Sequence, residues 1–160
     1  MEDRDFLDYF TQLGSPKVDL IKSASSNIVS TLLALDSKVA RKGSADSNDK
    51  VRQKAENSLK KKYSTGDLGK MSADLNYSLK RLVKGLCSEN HGVKQGFFLA
   101  SAMVLNRFHK TVDFDRYISM VQEETKSNST MKNPEIHTLM MGRMMCVSAI
   151  VDSQWVQKSS

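Results

Sequence analysis

The chain has 160 residues, 39% of them hydrophobic and 26% charged, with two prolines, eight glycines and a formal net charge of +6. One domain of this length can bury a sizeable core, and the longest apolar run, Phe97 to Leu105, is broken by Ser101 and far short of the roughly 20 residues that a bilayer span needs, so no membrane helix is expected. Met1-Glu2-Asp3-Arg4-Asp5 is acidic and lacks the basic-then-apolar order of a secretory signal, and the two cysteines, both inside predicted helices, read as reduced core thiols of an intracellular protein.

Phe6, Tyr9, Phe10 and Leu13 lie at helical spacing. Gly14-Ser15-Pro16 then ends that helix and starts the next, with Ser15 as N-cap and Pro16 at the first helical position. Ile21, Ala24, Ile28, Leu32, Leu35 and Val39 step by three or four, which predicts a long amphipathic helix running up to Gly43. Residues 43 to 71 read as a flexible basic insertion: a loop with turn chemistry from Gly43 to Asp49, a poorly anchored helix from about Asp49 to Tyr63 resting on Val51, Ala55 and Leu59, and a second loop from Ser64 to Gly69. Ser72 is the predicted N-cap of a helix whose buried stripe is Leu75, Leu79, Leu82, Val83 and Leu86, with Lys80, Arg81 and Lys84 on the wet side. Ser88 to Gly92 breaks the chain. The following helix, carrying Phe97, Phe98, Leu99, Ala100, Ala102, Met103, Val104, Leu105 and Phe108, keeps only a narrow polar edge at Lys94, Gln95, Ser101 and Arg107, so it must be covered on more than one side. A half-exposed helix, a short turn and a nearly buried helix are the repeating unit of an α-solenoid.

Asp113 caps a further helix in which Phe114, Tyr117, Ile118 and Val121 share a face, and Lys126 to Lys132 is a polar loop. Asn133 and Pro134 open the last helix. Its Ile136, Leu139, Met140, Met141, Met144, Met145, Val147, Ile150 and Val151 leave little polar surface, as in a helix covered by a further repeat. Ordinary core is the favoured reading of the Met cluster, with an adaptable partner groove as the alternative.

Charge is uneven. Residues 1 to 37 carry three basic and six acidic side chains (net −3), residues 38 to 62 nine and three (net +6), and residues 63 to 160 twelve and nine (net +3). Lys38, Arg41, Lys42, Lys50, Arg52, Lys54, Lys60, Lys61 and Lys62 are the candidate nucleic-acid-binding residues, able to attract a phosphate backbone without reading sequence. A solvated helix and loop is the competing and favoured reading, because no aromatic side chain other than Tyr63 is interleaved for base stacking. Asp113-Phe114-Asp115 is a D-x-D of the kind that holds catalytic Mg²⁺, yet Asp113 stands at an N-cap position and Asp115 in a first turn, where the helix dipole favours an acid. Cys87 and His91 form a C-x₃-H without the second close pair that zinc sites repeat. No catalytic, metal or cofactor-binding residue is assigned, and no cofactor or small-molecule substrate is expected.

The order Arg81-Leu82-Val83-Lys84-Gly85-Leu86, then Lys94-Gln95-Gly96-Phe97, then Met141-Gly142-Arg143-Met144-Met145 resembles the N-terminal region of the Myb-binding protein 1A / yeast DNA polymerase phi family. There an Arg-Leu-(Ile/Val)-Lys-Gly-Leu-Ser segment precedes an Arg-x-Gly-Phe motif and, later, a Phe-Gly-Arg-Leu-Phe-Gly segment. Cys87 replaces the Ser here, Met replaces the aromatics, and Cys146 stands for the last Gly. The resemblance implies an all-α fold, an armadillo/HEAT-like α-solenoid segment of about six helices, with residues 1–160 as a single N-terminal helical domain or fragment of a longer chain and a variable connection at 43–71. It also implies residence in the nucleus and nucleolus and a scaffold role in ribosomal RNA transcription and ribosome biogenesis. The implied partners are proteins, both pre-ribosomal factors and transcription regulators of the Myb type. A polymerase-type enzyme and a non-specific RNA or DNA binding module are the alternatives.

Overall fold

The computed structural model describes residues 4–42 and 71–158, so the predicted helix at 49–63 and its flanking loops lie outside the described residues. The described residues are helical throughout, without strands: α1 (Arg4–Gln12), α2 (Val18–Lys42), α3 (Ala73–Leu86), α4 (His91–Phe108), α5 (Phe114–Glu124), α6 (Asn133–Asp152) and a final turn, α7 (Trp155–Lys158).

Local chemistry fixes most boundaries. The Ser72 hydroxyl accepts from the Leu75 amide at 3.3 Å and so caps α3. Asn90 Oδ1 accepts from Gly92 N at 2.9 Å and opens α4 two residues before the predicted break ends. Asp113 Oδ1 accepts from Arg116 N at 2.9 Å and caps α5 as expected. At α6 the Glu135 carboxylate reaches back to the Lys132 amide at 2.8 Å, with Pro134 in the first turn. One start differs from expectation. Ser15 Oγ accepts from Lys17 N at 3.2 Å, which makes a tight turn at Pro16, and α2 begins only at Val18.

The centre of the bundle is α4, which packs against α2, α3 and α6, while α3 also touches α5 and α6 and α1 lies along α2. The α3 stripe is buried as its spacing predicts, Leu75, Leu79, Leu82, Val83 and Leu86 all being 1% exposed or less. Each such side chain contributes about 1.5–3 kcal/mol relative to exposure. On α4, Ser101 is not part of a polar edge as predicted. It is buried, with Oγ donating to the Phe97 carbonyl at 2.7 Å. Ser25 and Ser78 are buried in the same way, each donating to the carbonyl four residues back at 2.8 Å. A serine whose hydroxyl is satisfied within its own helix presents a small surface, and helices approach closely there.

Three glycines mark the closest approaches. A Cβ at Gly85 would overlap the Phe97 ring, joining α3 to α4; one at Gly96 would overlap the Leu13 carbonyl oxygen, joining α4 to the end of α1; and one at Gly142 would overlap Cys87 Sγ, joining α6 to the end of α3. Gly96 is the least forgiving, because the atoms it meets are backbone. Gly96→Ala is expected to lower the unfolding free energy by about 3 kcal/mol or more in urea titration, since overpacked cores lose this much when the backbone itself must move. Gly92→Ala, whose Cβ meets only ordinary contacts, is expected to leave stability unchanged or raise it by up to about 1 kcal/mol.

Candidate functional site

The residues that match the three sequence motifs converge on one region, where the C-terminal half of α3 meets α1, α4, α5 and α6. Arg81 stacks its guanidinium 4.9 Å from the centroid of Phe10 in α1 and donates to the Tyr77 hydroxyl at 2.9 Å. Lys84 pairs with Glu124 at the end of α5 at 3.2 Å, and Lys80 joins the same carboxylate at 3.6 Å. Gly85 and Gly96-Phe97 form the crossings described above. Arg143 of α6 reaches Thr125, the residue that ends α5, with Nε donating to Oγ1 at 2.6 Å and Nη2 to the carbonyl at 2.9 Å. Thr125 is itself buried, with its hydroxyl donating a hydrogen bond to the Val121 carbonyl at 2.6 Å. Arg81, Lys84 and Arg143 are therefore each engaged by another helix, whereas Gln95 meets His91 of its own helix at 3.3 Å.

The thiols lie in the same node. Cys87 caps α3 against Gly142, and Cys146 sits one turn further along α6, fully buried, hydrogen-bonded to the Tyr117 phenol. Burial pushes the Cys146 thiol up to about 12, and it raises Cys87 as well, although the nearby Lys94 and Arg143 cations oppose the shift. Burial likewise holds the Tyr117 phenol well above its usual value. Neutral thiols are poor nucleophiles and poor metal ligands, and both cysteines are free. His91 and His137 are exposed, and no three His, Cys, Asp or Glu side chains converge among the described residues. Of the D-x-D pair, Asp113 is spent on the α5 cap and Asp115 is exposed on the first turn.

The nine candidate cations are not assembled into a described surface. Lys38, Arg41 and Lys42 belong to the end of α2, where side chains are outside those described, and Lys50, Arg52, Lys54, Lys60, Lys61 and Lys62 fall outside the described residues altogether. An open groove of about 500 Å³ runs between Val29 of α2 and Asp152 of α6, floored by Phe98, Leu99, Ala102 and Met103 of α4.

On α6 the outcome differs from the ordinary-core reading of the methionine cluster and agrees with a helix left open to a further repeat. Gly142, Cys146, Ala149 and Ile150 turn inward, but Met140, Met141, Met144, Val147 and Val151 are exposed, so most of the methionine cluster is not part of the core of the described residues. Met145 alone of the four clustered methionines packs against the core. A 20-residue helix that is apolar all round buries here the face of Gly142, Cys146, Ala149 and Ile150, with α3, α4 and α5 packed against it. The other exposed large apolar side chains, Val18, Leu20, Tyr77 and Phe114, are scattered.

The described residues form an all-helical bundle in which Arg81, Lys84, Gly85, Gly96, Gly142 and Arg143 make contacts between helices and the last long helix carries an exposed apolar face. A family model described as DNA polymerase phi matches residues 77–160, from α3 to the end of the chain. The chain belongs to that family. No curated protein and no solved structure matches the chain.

Two measurements test the node. Arg143→Lys loses the two-point grip on a buried threonine, and a drop of about 1–2 kcal/mol in unfolding free energy is expected; an unchanged value would mean the contact carries no weight. For Cys146, burial favours the neutral thiol, so the folded form holds its proton up to about 12 while the unfolded chain releases it near the ordinary thiol value of 9.0. The thiol's contribution to stability is thus complete below about pH 9 and declines as pH rises towards about 12. At pH 8, a chromogenic disulfide reagent should leave Cys146 unmodified until denaturant is added.

Proposed function

We propose that this chain is a non-catalytic helical scaffold of the nucleolus, of armadillo/HEAT-like solenoid type, that serves ribosomal RNA transcription and ribosome biogenesis by presenting helix faces to other proteins. Pre-ribosomal factors and transcription regulators of the Myb type are the partners this reading names. The observation that carries it is the division of labour between α3 and α6. Arg81, Lys84, Gly85, Gly96, Gly142 and Arg143 of the family's motifs make contacts between helices, and α6 carries a face of exposed apolar side chains. Membership of the DNA polymerase phi family supports the reading through what the family's scaffold members do. The family name alone speaks for a polymerase, and the D-x-D residues give that reading no support, since one of them holds a helix end. A non-specific hold on RNA through the 38–62 window is compatible with the scaffold and rests on charge alone.

Affinity capture of the tagged chain with RNase treatment tests the proposal. Pre-ribosomal proteins should stay bound after RNase, and Met144→Asp with Val147→Asp should remove them while the helical circular dichroism is unchanged. Association that vanishes with RNase, or that the double variant keeps in full, contradicts it. So does metal-dependent primer extension that is lost in Asp113→Ala and Asp115→Ala.

A further inference from the structure

The uncovered face of α6 has an internal order that bears on what it binds. Met140, Met144, Val147 and Val151 are 57%, 65%, 54% and 67% exposed and lie directly opposite the buried Gly142, Cys146 and Ala149. Their spacing is four, three, four. This is the alternation of a and d positions in a coiled-coil seam, with Met140 and Val147 at d and Met144 and Val151 at a. The spacing also reads the same in both directions about a midpoint between Met145 and Cys146. We infer that this face binds the same face of a second copy of the chain, α6 against α6 in antiparallel register.

The sizes fit that register. Met140 meets Val151 of the second copy and Met144 meets Val147, so that a long flexible side chain stands opposite a short branched one in every layer. A parallel pair would set methionine on methionine and valine on valine, alternating thick and thin layers. Charge does not oppose the contact. Between Glu135 and Asp152 the only ionised side chain on α6 is Arg143, and it is held on Thr125. A two-fold interface places each residue of one copy against the other's, so a face free of charge meets no like charge. The area is small. A strip about 16 Å long, at 1.5 Å per residue, and one helix wide falls below the roughly 1,200 Å² at which stable interfaces begin. Association is therefore weak.

This inference rests on the reading of α6 as a protein-binding face and names its occupant. Sedimentation equilibrium of the full 160-residue chain between about 1 and 300 µM should show a monomer–dimer equilibrium, and Met144→Asp or Val147→Asp should shift it to monomer with helicity retained. Met140→Cys mixed with Val151→Cys should cross-link between copies under mild oxidation, whereas Met140→Cys alone should not, its two thiols lying about 16 Å apart along the pair. A chain that stays monomeric throughout, a dimer indifferent to both aspartates, or self-cross-linking of Met140→Cys would overturn the inference. The scaffold reading is judged separately. A monomer that still loses its captured partners through Met144→Asp and Val147→Asp keeps that reading and ends this one, and a dimer that captures no partner does the reverse.

Discussion

Close packing of neighbouring groups onto the helix backbone at Gly85, Gly96 and Gly142 is the constraint on which the rest of this structure depends. A glycine inside a helix costs about 1 kcal/mol relative to alanine, and that cost is offset where the missing Cβ lets a neighbouring ring, carbonyl or thiol sit directly on the backbone. These crossings place α3 and α4 face to face, bring the end of α1 onto α4, and set α6 against the end of α3. Once they are fixed, the end of α5 and the middle of α6 fall within reach of each other, and Arg143 and Thr125 complete the contact. The buried serines of α2, α3 and α4 work to the same end, being small groups that have already satisfied their own hydroxyls.

The amino-acid pattern announces most of this arrangement and misses specific parts of it. Helical period finds the α3 stripe from Leu75 to Leu86 because one face of that helix is wet and the other dry. Cap chemistry finds Ser72 and Asp113 because a side-chain oxygen must meet the orphan amides nearby. Ser101 reads as polar edge because composition cannot show that a hydroxyl is satisfied within its own turn. The α6 methionines read as core because period assigns a helix to an apolar environment without saying which neighbour supplies it; only the packing of α3, α4 and α5 against the face of Gly142, Cys146, Ala149 and Ile150 reveals the open one. The partnership of Glu124 with Lys80 and Lys84, and that of Gly142 with Cys87, join residues far apart in sequence. Neither leaves a local signal, although a glycine in the middle of so apolar a helix points to a close neighbour. The nine basic residues at 38–62 are legible as charge and carry no geometry beyond it.

The same contrast connects fold to function. A catalytic site keeps polar groups poised and partly unengaged, with their proton affinities tuned towards the working pH. In this node the shifts run the other way, towards thiols and a phenol held neutral by burial. Its cations are matched with an aromatic ring, a carboxylate and a helix end. What distinguishes the surface is an apolar ridge on α6, and apolar surface exposed in a contiguous strip is the ordinary mark of a contact made with another protein.

The central claim, that the motif residues act by holding helices against one another, is tested most directly by a double-mutant cycle on Gly142 and Cys87. Unfolding free energies are compared for Gly142→Ala, Cys87→Ala and the pair. Because the new methyl group would occupy the space of the thiol, truncating the thiol should relieve its penalty, and a coupling of at least about 1 kcal/mol is expected. Strictly additive effects, with no relief in the double variant, would contradict the account.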